Sequence, residues 1–71
     1  MAKEVESQVT GSIWKIEKAV GDEVAENEII MIIESMKMEI PLESPCAGRI
    51  SEIRVAEGDG VEEDQVLAVV E

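Results

Sequence analysis

The chain has 71 residues, with seventeen Asp plus Glu against six Lys plus Arg, no His, one Cys, one Trp, no Phe or Tyr, and a net charge of −11. Such a surface repels nucleic-acid phosphates and anionic membranes, and one aromatic is poor provision for base stacking. Without imidazole and with Cys46 alone there is no imidazole base, no imidazole metal ligand and no intramolecular disulfide, and the 45% hydrophobic content predicts one small domain, 1–71, with an aliphatic core.

The N-terminus, Met1 to Glu6, has no apolar signal core and no run approaches transmembrane length, which sets the expected location in the cytoplasm. A first strand is predicted near 3–9. From Gly11 the chain starts a segment that returns 37 residues later. Gly11 to Glu34 aligns without a gap on Gly48 to Glu71, with identities at Gly11/Gly48, Ile13/Ile50, Ile16/Ile53, Ala19/Ala56, Gly21/Gly58, Asp22/Asp59, Val24/Val61, Glu26/Glu63 and Glu34/Glu71. Nine identities in 24 positions exceed the two or three that such a composition gives by chance, roughly. Two copies are too few for a solenoid but suit two halves closing on each other about a pseudo-two-fold axis.

Within each copy the elements read as β. Strands are predicted near 11–17 and 48–55, where Ile13/Ile16 and Ile50/Ile53 are three apart, so strict alternation fails and a bulge is expected. Gly21-Asp22 and Gly58-Asp59 punctuate the copies before short strands near 23–25 and 60–62. Asn27 and Asp64 follow, residues that tolerate a left-handed backbone and so fit tight turns. The β-branched runs Ile29–Ile33 and Val66–Val70 then predict strands near 28–35 and 65–71. A helix over 22–40 competes, but the second copy carries Gly60 and would be the poorer helix. Pro41 and Pro45 place the remaining strand, near 38–44, at an edge. The expected fold is all-β: a flattened barrel or sandwich of two four-stranded antiparallel sheets with quasi-two-fold internal symmetry.

Ser35 to Ala47 reads as the stretch without a copy. It opens with Ser35-Met36-Lys37-Met38-Glu39-Ile40, between two extended segments, and puts Lys37 at a hairpin tip. A shift of 37 takes Lys37 beyond either end of the chain, so the two-fold places this tip at one end of the barrel and both termini at the other. A lysine amine, with a reference pKa of about 10.4, is a nucleophile only when deprotonated. Flanked by Glu34 and Glu39 it is a poor catalytic base, and the chain has no catalytic residues of its own. It can still be a substrate for acylation if another enzyme takes its proton and supplies an activated acyl group. Met36 and Met38 share parity, so on an extended backbone they would project from one face and Lys37 from the other, an apolar docking surface bracketing an amine. Trp14 is expected to serve strand packing rather than binding, and Cys46 to be a small buried or half-buried residue.

Glu34-Ser35-Met36-Lys37-Met38-Glu39 resembles the Met-Lys-Met signature of the biotinyl/lipoyl attachment domain family, of the biotin carboxyl carrier type. At this length the resemblance is to its stand-alone bacterial form. The likeness extends to Gly21-Asp22-Glu23-Val24, to Pro45-Cys46-Ala47-Gly48-Arg49-Ile50, and to Gly58-Asp59-Gly60-Val61 with Gln65-Val66-Leu67. It departs where the family often has Gly and this chain has Asn27 and Asp64, and where Ser35 replaces the common Ala. The short path from Asn27 to Ser35 leaves no room for the inserted thumb loop of some biotin carriers.

The resemblance implies a carrier, not an enzyme. A biotin protein ligase would make biotinyl-adenylate and the Lys37 amine would attack its acyl carbon, with Glu34, Ser35, Met36, Met38 and Glu39 as the recognition motif. Covalent biotin would then carry a carboxyl group between biotin carboxylase and carboxyltransferase active sites. A monomer is expected, kept soluble by its charge. Two alternatives stand. One is a lipoyl carrier modified by a lipoate ligase, whose tip usually reads Asp-Lys-Ala, unlike Met36-Lys37-Met38. The other is an unmodified acidic interaction module of the same fold.

Overall fold

A computed structural model describes residues 2–71. Eight strands follow one another: β1 (Lys3–Glu6), β2 (Gly11–Ile16), β3 (Glu23–Val24), β4 (Ile29–Ser35), β5 (Met38–Glu43), β6 (Gly48–Ile53), β7 (Gly60–Val61) and β8 (Val66–Val70). They form two four-stranded sheets, β1-β8-β6-β3 and β5-β4-β2-β7, with every pairing antiparallel. The all-β expectation holds, and β5, with Pro41 in its middle, is an edge strand. That position suits a residue with no N–H to give to a ladder.

The core is arranged in pairs. The buried residues of its packed cluster are Val5 with Leu42, Ile13 with Ile50, Val24 with Val61, Ile30 with Leu67, Met31 with Ala68, and Ile33 with Val70, every pair separated by 37 positions. Two sequence positions thus meet one environment, related by the two-fold. The spacing of Ile13 and Ile16 has the expected origin. Ile13 pairs with Ile33 and Lys15 with Ile32, which leaves Trp14 as the extra residue of a bulge and turns both isoleucines toward the core. Ser51 is the extra residue at the matching irregularity in β6, between Ile50 and Glu52. Trp14 differs from the expectation: the bulge leaves it half exposed, not packed in the strand layer.

The equivalence also reaches into the stretch read as uncopied. Ser44 is buried, and its Oγ donates to the Cys46 carbonyl at 2.6 Å; Ser7 is buried, and its Oγ donates to the Val9 carbonyl at 2.6 Å. The Asn27 N–H donates to the Ser44 carbonyl at 2.8 Å, and the Asp64 N–H to the Ser7 carbonyl at 2.7 Å. So β5 is the counterpart of β1. Glu6/Glu43 and Ser7/Ser44 continue the 37-residue spacing, but the match is interrupted where Pro41 stands against Glu4, Pro45 against Gln8, and Cys46 against Val9. Ser7 also ends β1 earlier than predicted, because its side chain takes the chain into a turn.

On the surface, Lys18 Nζ lies 2.7 Å from Glu28 Oε2. The hydrogen bond from Lys18, then that from the Ala25 N–H, hold the Glu28 carboxyl below the usual carboxylate range. The bond to Glu28, then its charge, raise the Lys18 amine. The Glu28 contribution is present above the unfolded pKa and is lost as pH falls through the lower folded one. The Lys18 contribution is present below its unfolded pKa and is lost as pH rises through the higher folded one. Glu28→Gln keeps the Ala25 bond, as Gln65 does for the Glu62 N–H at 2.9 Å. It is expected to be less stable than the parent at pH 7, with the gap closing below about pH 4 and above about pH 10. Urea unfolding followed by Trp14 fluorescence reads this, and a gap independent of pH contradicts it.

Candidate functional site

β4 and β5 are joined by a two-residue turn. Ser35 pairs with Met38, and between them Met36 has φ of 52° and Lys37 φ of 66°. Positive φ at both central residues marks a type I′ turn, whose twist matches the strands it joins. Such turns favour Asn and Gly, because a residue with a Cβ pays about 1 kcal/mol or more in this region. Met36-Lys37 therefore holds two bulky residues in a conformation that their own chemistry disfavours. The ladder beneath makes this possible, with β4 and β5 in unbroken register from Met31 to Ser35.

This turn overturns the parity expectation. Met36 and Lys37 are not extended, so alternation does not decide where their side chains point. What the structure gives is exposure: Met36 is 89% exposed, Met38 60%, and Lys37 is exposed as well. The fold gains no core contact from either tip methionine, in contrast with Met31, which is completely buried. Met36→Asn is expected to raise the unfolding free energy by about 0.5–1 kcal/mol, since Asn tolerates the left-handed backbone. Urea titration checks this, and an unchanged or lower stability contradicts the account of strain.

Below the turn, Glu34 and Glu39 stand directly opposite each other, a like-charge pair that costs stability. Among the described residues the ion pairs are Lys15–Glu17, Lys18–Glu28 and Arg54–Glu52, so the Lys37 amine is engaged in none of them. Ser35 has a specific role here: its Oγ donates to the Thr10 carbonyl at 2.8 Å, tying the hairpin neck to the β1–β2 loop. Thr10 Oγ1 in turn accepts the Glu63 N–H at 3.3 Å. Thr10 escaped the sequence reading, although its neighbour Gly11 was visible through its match to Gly48. A Cβ at Gly11 would collide with the Glu34 carbonyl oxygen, so only glycine lets β2 lie this close to the neck of the hairpin.

The flagged residues divide between places. Glu34, Ser35, Met36, Lys37, Met38 and Glu39 form one continuous tip. The Gly58 N–H donates to the Ile13 carbonyl and the Ile13 N–H to the Asp59 carbonyl, both at 2.8 Å, while Gly60 pairs with Ser12. Ser12 also pairs with Glu34, so this turn lies at the tip end. Gly21 and Asp22 bond Ile50 in the same way. Ile50 pairs with Val70 near Glu71, and Glu71 exchanges backbone hydrogen bonds with Arg49, which puts that turn at the opposite end. Asn27 and Asp64, with φ of 70° and 71°, serve turns that lead into β4 and β8. No group of three or more metal-ligating side chains is present among the described residues.

Comparison with known proteins agrees with this architecture. Residues 1–70 match the biotin/lipoyl family, described as "Biotin-requiring enzyme". The "Biotin/lipoyl attachment protein" of Bacillus subtilis is 42% identical over 38 residues, 54% of this chain and 52% of that protein. The "Biotinylated protein TB7.3 homolog" of Mycobacterium leprae is 33% identical over 42 residues, 59% of each chain. The matches thus span little more than half the length of these curated relatives. Among solved structures, Kluyveromyces lactis urea carboxylase superposes on 99% of this chain with a TM-score of 0.94 and 36% identity, over 6% of its own length. A single-chain, multi-domain long-chain acyl-CoA carboxylase superposes on 96% with a TM-score of 0.89, over 7% of its own length; at 24% identity it shows the shared fold. With a family match across nearly its whole length, two four-stranded sheets, and an exposed Met-Lys-Met hairpin between neighbouring strands of one of them, the chain belongs to the biotin/lipoyl attachment family.

Proposed function

We propose that the chain is a biotin carboxyl carrier and that Lys37 is its point of attachment. The observation that carries this reading is the tip itself. Lys37 occupies the second central position of a strained two-residue turn, exposed, unpaired in any described ion pair, and raised on the two longest-paired strands of the molecule. A fold-driven turn would place Asn-Gly there. The residues present fit an amide-linked group: acylation at Nζ needs an accessible amine on a rigid support and no pocket.

A biotin protein ligase is the proposed source of the activated acyl group, and it also takes the proton from the Lys37 ammonium. When attached, biotin supplies the carboxyl-carrying chemistry. The chain's own residues position the amine. Met36 and Met38 offer the ligase apolar contact, Glu34 and Glu39 mark the neck, and the Ser35–Thr10 bond limits how the hairpin can tilt. The partners of the loaded form are proposed to be biotin carboxylase and carboxyltransferase components, met by a monomer in the cytoplasm. The domain in urea carboxylase that this chain resembles supports the association with carboxylases. One relative is named for both biotin and lipoate attachment, so lipoylation of the same amine is the second reading. Lys37→Arg keeps charge and turn but cannot form the amide. It is expected to reduce biotin incorporation by a biotin protein ligase to background, read by intact mass. Incorporation at the parent level would overturn the assignment.

A further inference from the structure

The three described methionines divide into two classes. Met31 is completely buried in the core of the sandwich. Met36 and Met38 are 89% and 60% exposed and belong to no core cluster. A thioether in water is open to two-electron oxidation, and one in a closed apolar core is shielded. The consequence for the fold also differs between the classes. A polar sulfoxide at position 31 would disrupt the core, whereas at 36 and 38 it would displace no packing partner. Oxidation at the tip is therefore compatible with an intact sandwich, and its whole effect falls on whatever reads the tip from outside.

We propose that Met36 and Met38 form a reversible oxidation site whose sulfoxides close the tip to acylation of Lys37. This rests on the reading of Lys37 as the acylated residue. The oxidant is a hydroperoxide. The methionine sulfur attacks the distal peroxide oxygen, an S=O bond forms as the O–O bond breaks, and with hydrogen peroxide the other oxygen leaves as water. The sulfur loses two electrons and the peroxide gains them. Reversal takes two electrons from a pair of thiols, which become a disulfide while the oxygen leaves as water, the reaction of methionine sulfoxide reductases. Between the two states the Lys37 amine is chemically unchanged. What changes is the flank on either side of it in sequence: two flexible apolar side chains become polar and chiral, and a surface complementary to thioethers no longer matches them.

The test uses the full chain and hydrogen peroxide. Peptide mapping by mass is expected to show an added oxygen at Met36 and Met38 well before Met31, with Met1 and Cys46 read separately. The oxidised chain is then offered to a biotin protein ligase with biotin and ATP. Its acylation rate is expected to fall about tenfold or more, the loss of one buried methionine's worth of contact with the enzyme. Treatment with methionine sulfoxide reductases and dithiothreitol is expected to restore the rate. In Met36→Leu/Met38→Leu, whatever its own rate, the ratio of rates with and without peroxide is expected to be one. That variant keeps Met1, Met31 and Cys46, so a remaining sensitivity would place the effect on a sulfur outside the tip and overturn the proposal. Equal oxidation of Met31 and the tip methionines, or an unchanged acylation rate after tip oxidation, also overturns it. If the unoxidised chain takes no biotin at all, the carrier reading itself fails and the gating falls with it, while the oxidation map still reports the selectivity of the site.

Discussion

Gly11→Ala is expected to destabilise the domain by about 2–3 kcal/mol, the upper part of the range for forcing an extra methyl into a packed site. The added Cβ meets the carbonyl oxygen of Glu34, with the Glu34 carbonyl carbon at 3.1 Å behind it and Ile33 Cγ2 at 3.2 Å. Neither backbone can retreat easily. Gly11 is held to Val61, and its neighbour Ser12 pairs with both Glu34 and Gly60. Moving apart would break the sheet at the neck of the hairpin. Gly48 makes the same approach to the Glu71 carbonyl, but Glu71 follows β8 rather than lying within a strand. Gly48→Ala is therefore expected to cost less, because moving the 71 carbonyl aside gives up one hydrogen-bonded pair with Arg49, whereas moving Glu34 disturbs a strand paired on both sides. Urea denaturation of both variants decides the point. Equal costs would mean that the two ends of the sandwich are equally rigid. The total stability of a domain this size is about 4–10 kcal/mol, so the Gly11 variant loses a large share of it.

The second large effect concerns the exact seat of the amine. Exchanging the residues at 37 and 38, as Lys37→Met/Met38→Lys, keeps the composition and net charge. It moves the amine from the turn to the first residue of β5, in the pair with Ser35. The turn backbone stays strained and methionine replaces lysine in it, so stability is expected to change little. Biotin incorporation is expected to fall by about 100-fold, the scale of loss when a reacting group is displaced from its productive position. Kinetics of incorporation under a fixed amount of ligase measure this. A rate within a few-fold of the parent would mean that the ligase reads any lysine near the tip and that the turn geometry carries no information.

Much of the fold was legible because its signals are local and doubled. The β-branched runs Ile29–Ile33 and Val66–Val70 favour strands over the competing helix because Gly60 spoils the helix in the second copy, and the three-residue spacing of Ile13 and Ile16 announced the bulge that the register shows. Less legible was the kinship of β1 and β5, hidden because prolines fill one copy and glutamate and glutamine the other. The hairpin could be located between two strands, but its backbone could not be read. Nothing in Met36-Lys37 announces positive φ, since neither residue favours it; the turn is imposed by the strand pairing on both sides. For the same reason the parity of Met36 and Met38, sound for an extended segment, misled at a turn. The exposure of Trp14 is a further case: a bulge was expected, but which residue it would turn outward depends on the register with β4.

The strained turn also bears on what the tip is for. Folding alone would be served better by a residue that accepts the left-handed region, and the like charges of Glu34 and Glu39 at the neck add a further cost. Two local choices that disfavour stability meet at one exposed lysine, the pattern expected where a binding or modification site is maintained against the preference of the fold.

The most direct measurement is a site map of the unmodified full chain after incubation with biotin, ATP and a biotin protein ligase, with a parallel incubation with lipoate and a lipoate ligase. One biotin per chain is expected, attached at Lys37, with Lys3, Lys15 and Lys18 unmodified. An adduct on any of those three lysines, a chain that accepts lipoate and refuses biotin, or a chain that accepts neither would contradict it.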